Sequence, residues 1–228
     1  MPEAPSSFAL WLERLAALTP ELLESSLDTL YMVFFSSFFS LLAGFALAVC
    51  MILTGPAGLN PRPGIYRVLD VAVNLGRSFP FIILLIAIIP LTRLITGTTI
   101  GSAASIVPLT VAAIPFVGRL LEANFLEVDR GVLEAARAFG ANNAQIIFKV
   151  ILPEALPAIV LNVAVLAITL LGYSAMAGAV GGGGLGDLAI KYGYNRFQVD
   201  VMIYAVCILV LMVQIIQSVC NFFYKKLR

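Results

Sequence analysis

Residues 29–53, TLYMVFFSSFFSLLAGFALAVCMIL, contain no Asp, Glu, Lys or Arg, and the next charge after them is Arg62. A helix needs ~20 mostly apolar residues to cross a bilayer, because each backbone N–H and C=O must find its partner inside the hydrocarbon. This stretch is long enough and apolar enough to be such a helix. It makes the α-helical membrane class the first expectation for the chain.

Composition points the same way. Of 228 residues, 61% are hydrophobic and only 12% are charged, with a mean hydropathy of +1.00. A soluble domain carries about 25% charged residues, so this chain has too few to cover a globular surface in water. The formal net charge is +1 and histidine is absent. No basic excess points to nucleic acid. The commonest general base and metal ligand is missing. Cys50, Cys207 and Cys220 lie far apart in apolar runs, match no zinc or redox spacing, and read as small buried hydrophobes.

Four more segments qualify as spans. They run from about Val68 to Leu91, between Arg93 and Arg119, from about Ala155 to Ala177, and between Asp200 and Lys225. The second holds Asp70 and Arg77 and has the least certain edge. The third contains Pro108 and Pro115. Lys and Arg concentrate on the cytoplasmic side of membrane proteins. With the N-terminus outside, that side collects Arg62, Arg67, Arg119, Arg130, Arg137, Lys149, Lys225, Lys226 and Arg228. The outer side holds Arg14, Arg93, Lys191 and Arg196. The bias places the C-terminus in the cytoplasm.

The first 26 residues lack the basic region and cleavage site of a signal peptide. Phe8, Trp11, Leu12, Leu15 and Leu18 follow helical spacing, which predicts a leader helix lying in the outer membrane interface. Residues 27–228 then read as one transmembrane domain. No internal repeat or separate soluble domain is evident.

Nucleotide motifs fail on context. Gly181, Gly183 and Gly186 satisfy G-x-G-x-x-G, but a membrane span rather than a strand precedes them. Asp187 stands where a P-loop requires Lys. No histidine exists to build an ordinary catalytic triad. The chain is expected to be neither an enzyme nor a binder of cofactor or metal.

The longest charged internal segment runs from about Glu122 to Pro153. Within it, Val132, Ala135, Ala136 and Phe139 fall at helical spacing, while Glu134 can pair with Arg130 or Arg137 on another face. Gly140 suits a helix C-terminus. A second helical stretch, about Asn143 to Val150, leads to Leu152-Pro153 at the start of the fourth span, where proline is tolerated. These features fit a helix that docks a cytoplasmic partner and equally a passive connector folded on its own bundle.

The glycines after Met176 cannot continue a span, since each costs about 1 kcal/mol against alanine. Broken helices at membrane depth survive only against protein or a water-lined path. The stretch reads as an outer gate or as a flexible outer loop. Met176 reads as a pathway-lining thioether or as a bundle-facing one, with Tyr173 and Ser174 as weaker pathway residues. Arg77 can face a solute path, pair with Asp70 two turns away, or extend its stem to the interface.

The loop spacing E-A-A-x3-G-x9-V-x-L-P resembles the signature of permease subunits of ABC importers. Glu134, Ala135, Ala136, Gly140, Leu152 and Pro153 occupy its positions, with Val150 at the Ile/Val position. Further stretches resemble methionine-type permeases: residues 77–85 (RSFPFIILL), 106–110 (IVPLT), 171–186 (LGYSAMAGAVGGGGLG) and 192–194 (YGY). The leader before about Leu22 is longer than usual in that family.

The resemblance implies an all-α membrane protein with five transmembrane helices in the type I ABC importer permease fold, set in the bacterial inner membrane. It makes the segment at Glu134, Ala135, Ala136, Arg137, Phe139, Gly140, Leu152 and Pro153 a coupling loop for an ATPase. Tyr173, Ser174, Met176 and Gly182 become the pathway or gate. The implied partners are two copies of an ATPase subunit that uses ATP-Mg, a second copy of the chain, and a solute-binding protein. The implied solute is D- and L-methionine. Another amino acid or a small osmolyte is the alternative. A channel or a membrane scaffold leaves the loop spacing unexplained.

Overall fold

The computed structural model describes residues 7–227, and every regular element among them is helical. The first helix, α1 (Ser7–Thr54), fuses the expected leader and first span into one rod with Pro20 inside it. At 1.5 Å per residue it is about 72 Å long, more than twice the ~30 Å hydrocarbon core. Phe8, Trp11 and Leu12 lie outside the residues whose side chains are described. Leu18 and Leu22 pack on Leu188, Val201 and Tyr204. The leader is thus continuous with the first span, and its Leu18 and Leu22 side packs on the bundle; most of the remaining apolar face expected from its periodicity falls on Phe8, Trp11 and Leu12, outside the described side chains.

Residues facing inward along α1 recur every three to four positions: Thr29, Met32, Ser36, Ser40, Gly44, Ala48 and Ile52. From Ser36 to Ala48 this stripe is made of small residues. Small side chains let two backbones approach closely where lipid supplies no hydrophobic drive. The partner is α5 (Ser102–Leu126), the main neighbour of α1. A Cβ on Gly44 would sit 2.5 Å from Val117 Cγ1, and one on Gly118 would sit 2.7 Å from Leu47 Cδ2. The two glycines interlock, each under the other helix's side chain.

The expected single span from Val68 to Leu91 is broken. It consists of α2 (Pro63–Ser78), α3 (Phe81–Ala87) and α4 (Ile89–Thr96), with a bend of 102° between α2 and α3. Phe79 is extended and Pro80 follows it, so the chain cannot carry helix through this point. Apolar periodicity alone concealed the break.

Beyond α5 come α6 (Arg130–Ala138), α7 (Asn143–Ile146), a π-helical turn (Ile147–Ile151) and α8 (Leu152–Gly178). Then α9 (Gly184–Leu188) and a second π-helical segment (Ala189–Tyr194) precede α10 (Val199–Leu227). From Asn143 to Gly178 the helical stretch is unbroken, so the return helix and the fourth span are one element. By length and apolarity α1, α5, this stretch and α10 can each cross a membrane, and the α2–α3 pair, bent by 102°, supplies a fifth if it is counted as one broken span.

Leu109, Phe125, Ile146, Leu166, Leu170 and Leu185 are almost fully buried where α1, α5 and α8 meet. Outward surfaces are apolar too: Phe34, Leu42, Val68, Leu75, Leu211 and Ile215 are all at least 60% exposed. In water such surfaces signal an interface or aggregation, whereas in lipid they are solvated. Cys50 and Cys207 belong to this exposed surface, contrary to their reading as buried residues, and all three cysteines are free.

Candidate docking loop and pathway

The bundle has two chemically distinct ends. One carries the 55–62 loop and the 127–142 segment. The other carries the start of α1, the 97–101 loop and the 179–198 segment. At the first end α5 continues to Leu126, so Glu122 lies inside a helix and is 3% exposed. The protruding part begins at Glu127, five residues later than its charge suggested.

Every end of α6 is shaped locally. Asp129 caps it, accepting hydrogen bonds from the Gly131 and Val132 amides at 2.6 and 3.3 Å. Gly140 has φ +82°, its amide donates to Arg137 O, and the Ala141 amide donates to Ala136 O. That pair of bonds is the Schellman closure. Asn142 and Gln145 then form a reciprocal capping box on α7. The segment needs little tertiary support to hold this form.

Its predicted stripe divides. Leu133, Ala136 and Ala141 rest on the bundle, as does Leu152 at the start of α8. Val132 and Ala135 face outward, and Phe139 is 91% exposed. Glu134 and Gly140 are exposed, as is Pro153 in the first turn of α8. The expected Glu134 pairings with Arg130 and Arg137 do not form among the described residues. Instead the Arg137 guanidinium donates to Leu59 O at 2.9 Å, tying α6 to the loop that enters α2. A backbone carbonyl within reach outcompetes an exposed carboxylate worth a few tenths of a kcal/mol. Arg130, Glu134 and Arg137 border a hollow against residues 56–59.

Just inside this end lies a polar clamp. Arg119 pairs with Asp70 and, at 2.8 Å, with Glu122, while its guanidinium also donates to Asn74 Oδ1 at 3.2 Å. Tyr66 donates to Glu122 Oε1 at 2.9 Å. Asp70 is thus committed to Arg119, and the Asp70–Arg77 pair considered from the sequence does not form among the described residues. The cluster joins α2 to α5 and was missed. Its members lie far apart in sequence, though intramembrane charge was the available signal.

At the opposite end, the glycine stretch is a packed hairpin. A Cβ on Gly178 would overlap the Asp187 amide nitrogen, and one on Gly186 would sit 2.5 Å from Ala175 Cα. Gly181, Gly183 and Gly184 all have positive φ. Thr29 on α1 accepts a hydrogen bond from the Leu185 amide at 2.9 Å, in a buried setting. Ser105 on α5 donates to Gly182 O at 3.2 Å. Three helices therefore hold this turn from below. Outside it, Arg14 pairs with the buried Asp200 at 2.8 Å, and Tyr192 donates to Glu21 at 3.1 Å.

The four expected pathway residues separate on geometry. Gly182 is buried in the hairpin, and Ser174 is buried with its hydroxyl donating to Leu171 O at 2.8 Å. Met176 is 49% exposed. Tyr173, one turn earlier on α8, stacks flat on Phe81 at 4.5 Å between ring centroids and 2° between planes. Both rings border a recess of ≈ 160 Å³ that also holds Arg77.

A bundle of apolar helices, a broken span and a protruding capped helix together describe a membrane translocation component. A family model described as "Binding-protein-dependent transport system inner membrane component" matches residues 40–228, and the chain belongs to that family. It is a translocation component, with ATP hydrolysis residing in a separate subunit.

The particular likeness is narrower. Over 198 residues the chain is 50% identical to the probable D-methionine transport system permease protein MetI of Vibrio cholerae, covering 87% of this chain and 88% of that one. The corresponding protein of Pasteurella multocida is 46% identical, covering 88% and 94%. Among solved structures, an inward-facing conformation of the MetNI methionine ABC transporter matches with a TM-score of 0.90 at 42% identity, covering 95% of this chain and 99% of that one. The fold is that of the type I ABC importer permease.

Proposed function

We propose that the chain is the transmembrane permease subunit of an ATP-driven importer of D- and L-methionine. The solute rests on the likeness to the methionine permeases and transporter named above. The observation that carries the mechanism is the α6 segment: capped at both ends, tied to the α2 entry loop by Arg137, and presenting Phe139 outward.

Glu134, Ala135, Ala136, Arg137, Phe139 and Gly140 form the surface that enters a groove of the ATPase, with Leu152 and Pro153 fixing its exit into α8. Two ATPase copies serve two permease copies, because five crossings enclose a poor path and a two-fold pair completes it. A solute-binding protein delivers the amino acid from outside. The N-terminus, residues 1–26 included, lies outside and the C-terminus in the cytoplasm, as the Lys/Arg distribution favours. ATP-Mg binding draws the ATPases and their two α6 helices together. The Arg137–Leu59 tie and the Arg119 clamp carry that movement into α2. Tyr173 and Met176 face the path, while Ser174 and Gly182 hold the backbone of its outer gate.

Reconstitution tests this. Permease, ATPase and binding protein in liposomes should accumulate methionine only with ATP. Uptake indifferent to ATP would sink the importer reading. Equal displacement of methionine from the binding protein by several other amino acids would sink the choice of solute. Glu134→Arg or Gly140→Pro should release the ATPase on purification or uncouple its hydrolysis from uptake.

A further inference from the structure

The recess at the α2–α3 break has an unusual composition. Its walls include Arg77, Phe79, Phe81, Ala112, Phe116 and Tyr173, and no acidic side chain lines it. Arg77 sits in the last turn of α2, where the helix dipole favours a cation. Its guanidinium makes no hydrogen bond or ion pair among the described residues, because Asp70, the nearest acid on its own helix, is held by Arg119. Arg77 is exposed on the isolated chain and belongs to a bent helix pair apolar enough to count as one broken span. A cation within a span is costly and marks solute or ion paths, and broken helices within a membrane mark solute sites as well. Phe81 is 5% exposed and its ring is stacked on Tyr173, so the apolar wall is already in place before any solute arrives.

We propose that this recess is a transit site for a free amino acid. Arg77 receives the α-carboxylate through its two-pronged guanidinium, and the Phe79, Phe116 and stacked Phe81–Tyr173 rings pack against an unbranched apolar side chain. An α-carboxylate supplies the bidentate anion that Arg is shaped to hold. A thioether gains from contact with aromatic rings. The recess lacks a carboxylate to hold a cationic side chain, which disfavours lysine-like solutes. This rests on the methionine-importer reading and adds a solute contact within the permease itself.

The test uses the whole permease–ATPase complex in liposomes with a diazirine analogue of methionine that keeps both α-groups. Photolysis should label peptides containing Phe79, Phe81 or Tyr173. Excess methionine should suppress that labelling, and methioninamide, which lacks the carboxylate, should not. Arg77→Met should reduce the labelling about tenfold, with Arg77→Lys intermediate, because a charged hydrogen-bonded pair is lost in one and loosened in the other. Absence of label at these residues, label undiminished in Arg77→Met, or competition by methioninamide equal to that by methionine would each overturn the site. The competition arm uses the unaltered protein, so it decides even where the Arg77 variants misassemble. ATP-driven uptake, measured in liposomes from the same preparation with the solute-binding protein added, separates the two readings. Uptake with the wrong labelling pattern rejects the site alone, and no uptake rejects the importer.

Discussion

The α6 segment and the 178–186 hairpin both depend on glycine, for opposite physical reasons. Just past the end of α6, Gly140 supplies a left-handed turn, and a side chain there would meet nothing within 4 Å. In the hairpin Gly178 and Gly186 supply absence of volume, because a Cβ would strike backbone. One segment is shaped by its own caps and leaves its outer face open. The other is shaped by α1, α5 and α8, which bury Gly178, Gly182 and residues 184–186 and leave Ala179 and Val180 at its tip exposed. Local caps preform a segment and leave it exposed, whereas tertiary contacts assemble a segment that has no caps of its own.

The comparison is broken most severely at the hairpin. Gly178→Val should cost several kcal/mol, since backbone cannot step aside as a core side chain does, and overpacking a core already costs about 1–3 kcal/mol. The expected outcome is a large loss of thermal stability in detergent, or failure to recover folded protein. A variant that melts like the parent would mean that the hairpin is loose. Next in size, Phe139→Ala should weaken ATPase binding by about 2 kcal/mol, the scale of an aromatic anchor. The isolated permease should keep its stability to within about 0.5 kcal/mol. Titration of the purified ATPase measures the first quantity and thermal unfolding the second.

Two smaller changes sharpen the contrast. Gly140→Ala should cost about 1–2 kcal/mol, because a Cβ is disfavoured at φ +82° even in open space. Gly140→Asn should recover part of that, and proteolysis of the 127–142 segment reports both. Asp129→Ala, which removes the α6 cap, should cost about 1 kcal/mol. It should raise amide exchange in α6 without altering that of the hairpin.

Much of this was readable in residues 29–53 and 134–153, because span length and cap chemistry are local properties. Thr29, Ser36, Ser40, Gly44 and Ala48 were also visible as letters. The reason for the small residues from Ser36 to Ala48, a close crossing with α5, appears only when Gly118 is set against Leu47, and the reason for Thr29 only when the Leu185 amide reaches it. Asp70 and Arg77 illustrate the limit. Helical spacing pairs them, but Arg119 arrives from another helix and takes Asp70, leaving Arg77 free at the break. Phe79-Pro80 was a legible warning of that break, and continuous apolarity outweighed it.

The sequence by itself determined that the chain lives in a membrane, that it crosses several times, and that residues 134–153 carry a defined spacing with Gly140 suited to end a short helix. Those conclusions rest on solvation and on hydrogen bonds between near neighbours, which short segments encode. Only the tertiary structure decided that the leader and first span are one rod, that the second span bends by 102°, and that Arg77 and Tyr173 line one recess. These are outcomes of competition among residues distant in the chain, and each depends on which partner comes within a few ångströms.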